Sequence, residues 1–129
     1  LYFDSDYEEV NRFLTKELKI YVAQKDINGE ALIRFMMSYS FFERGDNQEG
    51  EREFAKVMQL FPDVKDPLVR SQILNFLAFN SSHQGNFDKA IEYSYQCIAE
   101  GEKSGNEVSA LWGFFSLAVF HYDFKDYIN

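Results

Sequence analysis

The stretch HQGNFDKAIEYSYQCIAEGE, residues 83–102, decides the fold once it is laid over ERGDNQEGEREFAKVMQLFP, residues 43–62. Gly45 and Gly85 fall in register, and ahead of them Met37-Ser38 matches Leu77-Ala78. The same step carries Leu77-Ala78 onto Leu117-Ala118 and Asn86-Phe87 onto Asp126-Tyr127. Two steps back from Asn86-Phe87 stands Asp6-Tyr7. One phase therefore holds from LYFDSDYEEV at the start to HYDFKDYIN at the end. A period of about 40 residues is the mark of stacked supersecondary units.

Each unit reads as two helices. In FDKAIEYSYQCIAEGEK, the residues Phe87, Ala90, Ile91, Ser94, Cys97 and Ile98 recur at the spacing of one helical face. Phe54, Val57, Met58 and Phe61 do the same one period earlier, and Tyr7, Val10, Phe13, Leu14, Leu18 and Tyr21 do so at the start. Helix-start signals separate the segments. Asp46 with Glu49, and Asp6 with Glu9, have capping-box spacing with Asp in place of Ser or Thr. Asn28, Asn86, Asn106 and Asp126 are expected caps. Asp66-Pro67 places Pro at a first helical position, after Pro62 has ended the preceding helix.

The expected order alternates A and B helices: B at about 5–25, A at 29–44, B at 47–61, A at 67–83, B at 87–103 and A at 107–123. This is an all-α chain, one repeat domain over 1–129. It holds two whole hairpins, 29–61 and 67–103, with an orphan B helix before and an orphan A helix after. The phase predicts a slice of a longer protein, starting just after one A helix and stopping just into the next B helix.

Composition bounds the rest. With 129 residues, 46% hydrophobic and 18% aromatic, the chain has the makings of one packed domain that buries about two-thirds of its unfolded surface. Fourteen Phe and eight Tyr mean that rings fill the core. The net charge of −8 argues against a nucleic-acid partner for this segment, since phosphate backbones require clustered Lys and Arg. No apolar run approaches the roughly 20 residues of a membrane span, and no signal peptide is visible at the start. Cys97 stands alone, which rules out an internal disulfide framework and suits the cytoplasm without excluding the periplasm.

Catalytic constellations are missing from the pattern. His83 and His121 are the only histidines, and neither belongs to a motif with metal-ligand spacing. No phosphate-cradling glycine loop or nucleophile elbow occurs. Cys97 sits where a small packed residue is expected, so it reads as a buried hydrophobe rather than a nucleophile. His121 falls where an A helix packs an aromatic. The acidic pairs Asp4-Asp6, Glu8-Glu9 and Glu100-Glu102 read as solvated helix ends, because the alternating loop of a calcium site is absent. No enzyme activity, cofactor or metal is expected.

The stretch Leu77-Ala78 … Gln84-Gly85-Asn86-Phe87-Asp88-Lys89-Ala90-Ile91-Glu92-Tyr93 resembles the tetratricopeptide repeat family, whose usual unit has about 34 residues. The unit around Gly45 keeps Phe54 and Pro62 but has Asn47 and Gly50 where an aromatic and Ala belong; the last keeps Leu117, Ala118 and Tyr127, with Lys125 replacing the Gly. The longer unit is similar to those of tetratricopeptide domains in peptide-pheromone-binding regulators and in the sensor halves of bacterial kinases and transcription regulators.

The resemblance implies a right-handed α-solenoid of antiparallel hairpins whose A helices line an inner wall. By position, that wall takes Leu32, Phe35, Met36, Tyr39 and Phe42 from the first hairpin. The second contributes Gln72, Asn75, Phe76, Phe79, Ser82 and His83, and the last A helix Trp112, Phe115, Ser116, Val119 and Tyr122. Exposed rings of this extent mark a binding surface for a peptide or protein, with Gln72 and Asn75 placed to hold a ligand's backbone. The same rings are equally the material of an inter-helix core. Only Arg34 and Arg70 lie on A helices, so a basic clamp for a terminal carboxylate is not expected. Two functions follow: a scaffold of a signalling or regulatory protein that grips an apolar ligand, or a structural spacer whose end faces stack on further repeats or on a second copy as a homodimer.

Overall fold

A computed structural model describes the backbone of residues 2–128 and the side chains of residues 6–120. The described chain is all-helical: α1 (Tyr2–Ala23), α2 (Ile27–Glu43), α3 (Asn47–Leu60), α4 (Pro67–His83), α5 (Phe87–Ser104) and α6 (Glu107–Ile128), with a short 3-10 turn at Phe61–Asp63 after α3. It divides into two compact units, Leu1–Val64 and Lys65–Asn129.

The turns explain why the helices stop where they do. Four of them share one geometry, in which a residue with positive φ is followed at once by Asp or Asn: Lys25-Asp26, Gly45-Asp46, Gly85-Asn86 and Gly105-Asn106. At Gly85 the N–H returns to Ser82 O at 3.0 Å, and the Asn86 N–H reaches back to Ser81 O at 2.9 Å. Those two bonds satisfy the last carbonyls of α4 as a Schellman cap does. The same Asn86 then opens α5, its side chain accepting from Lys89 N–H at 3.3 Å. Asp26 and Asn106 also serve twice, accepting from Gly29 N–H and Ser109 N–H. The connection into α4 is different: Asp66 accepts from Leu68 N–H at 2.9 Å, with Pro67 at the first helical position.

Three expectations about helix ends change. The cap of α2 is Asp26 rather than Asn28, which lies inside the helix, because only Asp26 combines extended backbone with a bond to the third N–H. Asp46 precedes α3 without a side-chain cap bond; its carboxylate is 3.9 Å from Arg44 instead. The turns expected at Asp6 and Asp126 do not form, since α1 runs from Tyr2 and α6 continues to Ile128. At the phase where Gly45 and Gly85 take φ of 84° and 78°, the sequence has Ser5 and Lys125. A left-handed conformation costs an L-residue about 1–2 kcal/mol, so continuing the helix is the cheaper course there. Lys25 does adopt φ 56°, where the Asp26 cap and the packing of α1 on α2 hold it.

In the first unit α2 packs between α1 and α3. Its core is Leu14, Ala31, Ile33, Val57 and Val64. Arg34 ties α2 to α3, bonding Glu30 at 2.9 Å and reaching Glu53 at 3.4 Å. In the second unit α5 packs on both α4 and α6, and α4 also meets α6. Its buried apolar residues include Ile73, Leu74, Ala78, Ala90, Ile98, Leu117 and Phe120. Small residues let these helices close up: a Cβ on Gly113 would lie 2.9 Å from Ser94 O of α5. Arg70 bonds Glu100 across α4 and α5 at 2.6 Å.

Candidate functional site

The A-type helices α2, α4 and α6 carry every residue expected on a binding wall, and the structure sorts them into three groups. The first group is absorbed into packing. In the first unit the Phe35 ring tilts against Phe54 of α3, with centroids 6.5 Å apart. Phe42 lies over Gly50, where a Cβ would meet the ring at 2.8 Å. Both are half-buried, and the absence of a side chain at Gly50 is what admits the Phe42 ring. In the second unit Phe79 stands edge-on to Phe120 of α6 at 5.2 Å, so this ring joins α4 to α6. Phe76 is half-buried as well.

The second group is polar and partly committed. The Ser116 hydroxyl donates to Asn75 Oδ1, joining α4 to α6. Asn75 therefore has its carbonyl engaged within the fold, which leaves its N–H groups as the donors for a ligand. Gln72, one turn earlier, is exposed.

The third group faces outward. On α6, Trp112 and Phe115 form an edge-to-face pair with centroids 6.2 Å apart, both about half exposed. Val108 one turn before them is exposed too. Leu68 and Gln72 hold the matching positions on α4, one period earlier, and are likewise exposed. The second unit thus presents Leu68, Gln72, Val108, Trp112 and Phe115 along one side of the α4–α6 pair. In the first unit Tyr39 and Met36 are exposed on α2. The Glu43 carboxylate in hydrogen-bonding range of Tyr39 pushes its phenol above the ordinary value, so Tyr39 stays neutral and amphipathic. Tyr122 and His121 lie outside the described side chains.

Leu68 and Val108 complete this surface and were missed as wall residues by the sequence reading. Their signal was available, since each precedes a named wall residue, Gln72 or Trp112, by four positions on one helix face.

Cys97 is fully buried at the centre of the second unit. Its Sγ donates to Ser109 O at 3.3 Å and approaches Ser71 O at 3.6 Å, so one thiol touches α4 and α6 from α5. Burial pushes the thiol above its ordinary value, and the Ser71 contact only partly offsets that. A neutral, enclosed thiol is a packing element and no nucleophile. Among the described residues no group of three or more His, Cys, Asp or Glu is placed to hold a metal ion, and no helix is long and apolar enough to cross a membrane. A shallow depression of about 570 Å³ runs along α1, lined by Glu8, Asn11, Arg12, Thr15, Lys16 and Lys19. None of the expected wall residues line it, and its groups come from a single helix rather than converging from several. The chain matches no family model, no curated protein and no solved structure.

Proposed function

We propose that this chain is a non-enzymatic scaffold of the tetratricopeptide-like kind, serving a signalling or regulatory protein by binding a peptide or protein segment on its A-helix side. The observation that carries this reading is the exposed Trp112–Phe115 pair, flanked by Val108 and matched on α4 by Leu68 and Gln72. Aromatic anchors of this type dominate binding energetics where they are desolvated by a partner. Gln72 and the N–H groups of Asn75 supply hydrogen bonds to a ligand's backbone, while the rings take its apolar side chains. Ligand selection by charge is weak here, because residues 108–120 contain no Asp, Glu, Lys or Arg.

Trp112 is the only tryptophan, so its emission reports on this surface directly. Peptides enriched from a displayed random library are titrated against that emission. The expected result is a blue shift on binding, with affinity falling at least about tenfold in Phe115→Ala, the equivalent of about 1.4 kcal/mol. Failure to enrich any peptide, or an affinity that Phe115→Ala leaves unchanged, defeats the reading.

A further inference from the structure

Charge is unevenly placed along this chain. From Val10 to Lys25 stand Arg12, Lys16, Lys19 and Lys25 against Glu17 alone, a net of +3 inside a chain of net −8. Arg12, Lys16 and Lys19 fall on one face of α1, at successive turns over about 10 Å. With Glu8, Asn11 and Thr15 they line the shallow depression along that helix. All three are exposed, and none forms an ion pair among the described residues. By contrast, Arg34, Arg44, Arg52 and Arg70 each have a carboxylate at 2.6–3.9 Å, and Lys56 has Glu53 at 3.1 Å.

The face is open because of its position in the repeat. One period on, the same positions are Arg52, Lys56 and Gln59 of α3; two periods on, they are Glu92, Gln96 and Ala99 of α5. All six are exposed, on helices that have another helix both before and after them. Solvent reaches this face wherever the repeat brings it, so its exposure on α1 does not depend on what precedes α1. What changes between the helices is charge. On α3 the cations are paired with Glu49 and Glu53, on α5 the face carries Glu92, and on α1 it is positive and unpaired.

We propose that this face of α1 binds an acidic peptide segment, whose carboxylates lie against Arg12, Lys16 and Lys19. A ligand there meets cations without first breaking ion pairs, as it would have to at Arg52 or Lys56. Carboxylates about 5–7 Å apart match the spacing, whether one turn apart on a helix or on alternate residues of an extended chain. Glu8 bounds the site at one end by repelling the same ligand. A membrane or a nucleic acid presents negative charge over a broad surface, which the acidic remainder of the chain opposes, and the depression is lined by no apolar side chain that could enter lipid. A short peptide touches the three cations and little else. The site shares no residue with the surface on α4 and α6.

Anisotropy of fluorescein-labelled octaglutamate, titrated with the whole chain at about 50 mM salt, tests this; charges roughly 10 Å apart still interact there. The expected result is saturable binding that weakens as salt is raised. Lys16→Glu lowers the affinity at least about tenfold, while Lys16→Arg keeps it. Lys56→Glu, the same change one period later on α3, alters it less than about twofold, because Lys56 is already paired. These side chains are exposed, so helical circular dichroism is unchanged in every variant. Phe115→Ala leaves octaglutamate binding intact, which separates this site from the peptide surface proposed above. An absence of saturable binding, or equal losses in Lys16→Glu and Lys56→Glu, overturns the proposal. So does sedimentation of the chain with phosphatidylserine vesicles that Lys16→Glu abolishes, since that assigns the face to lipid.

Discussion

The hairpins α2–α3 and α4–α5 occupy the same phase of the repeat yet close in different ways. The first closes with rings and ions: Phe35 on Phe54, Phe42 over Gly50, and Arg34 shared between Glu30 and Glu53. The second closes with small residues, Ser71, Ala78, Ala90 and Cys97, all of them essentially inaccessible, together with the Arg70–Glu100 pair. Half-buried rings can tilt to absorb a change in volume, whereas a seam of small side chains cannot. The second unit should therefore be the more stable and the less tolerant of the two.

The largest test of that contrast is loss of a buried ring. Phe120→Ala in the second unit should cost about 3–5 kcal/mol in denaturant unfolding followed by circular dichroism. Phe54→Ala, which removes a half-buried ring from the first hairpin, should cost well under half as much. Comparable losses would mean that the two units share one cooperative core.

Added volume sharpens the same difference. Ala90→Leu should destabilise by about 1–3 kcal/mol, because Ala78 and Phe120 leave it no room. Gly50→Ala should destabilise as well, but less: the Phe42 ring must shift away from the new Cβ, and up to about 1 kcal/mol of helix propensity offsets only part of that cost. A smaller effect concerns the turns. Gly85→Ala places a Cβ at φ 78° and should cost about 1–2 kcal/mol. Lys25→Gly relieves φ 56° and should raise the melting temperature of the first unit, by an amount corresponding to at most about 1 kcal/mol.

The smallest effect is in pH. The Cys97 thiol binds its proton more tightly folded than unfolded, so its contribution is complete below the ordinary thiol value. It declines as pH rises through that value toward the elevated folded one. Cys97→Ala should flatten this alkaline loss of stability. An unchanged slope would trace the loss to other groups.

How much was legible in the sequence differs by helix type. The helices α3 and α5 are amphipathic, and their apolar stripes announced which side they bury; the stripe expected on α1 held less well, since Leu14 is core but Val10 and Phe13 are exposed. Ala90, Cys97, Ile98 and Val57 are indeed core. The turns were legible too, because a glycine followed by Asp or Asn is both a left-handed cap and a helix start. At the two ends the repeated Asp-Tyr phrase kept the phase but not the glycine, and the helices run through it. The helices α2, α4 and α6 are apolar on nearly all sides, and periodicity cannot then choose a face. The wall positions read from the repeat therefore separated only when neighbours were in place. Phe35 and Phe42 turned to α3 and Phe79 to α6, while Trp112 and Phe115 stayed outside.

By itself, the sequence determined six helices, one phase of repetition and the residues that stop the chain between helices, because capping and φ preferences act within a few residues. Tertiary structure alone decided which rings are surface and which are core. The reason is that a ring's exposure depends on what lies opposite it, whether the open space over Gly50 that admits Phe42 or the solvent beside Trp112 and Phe115.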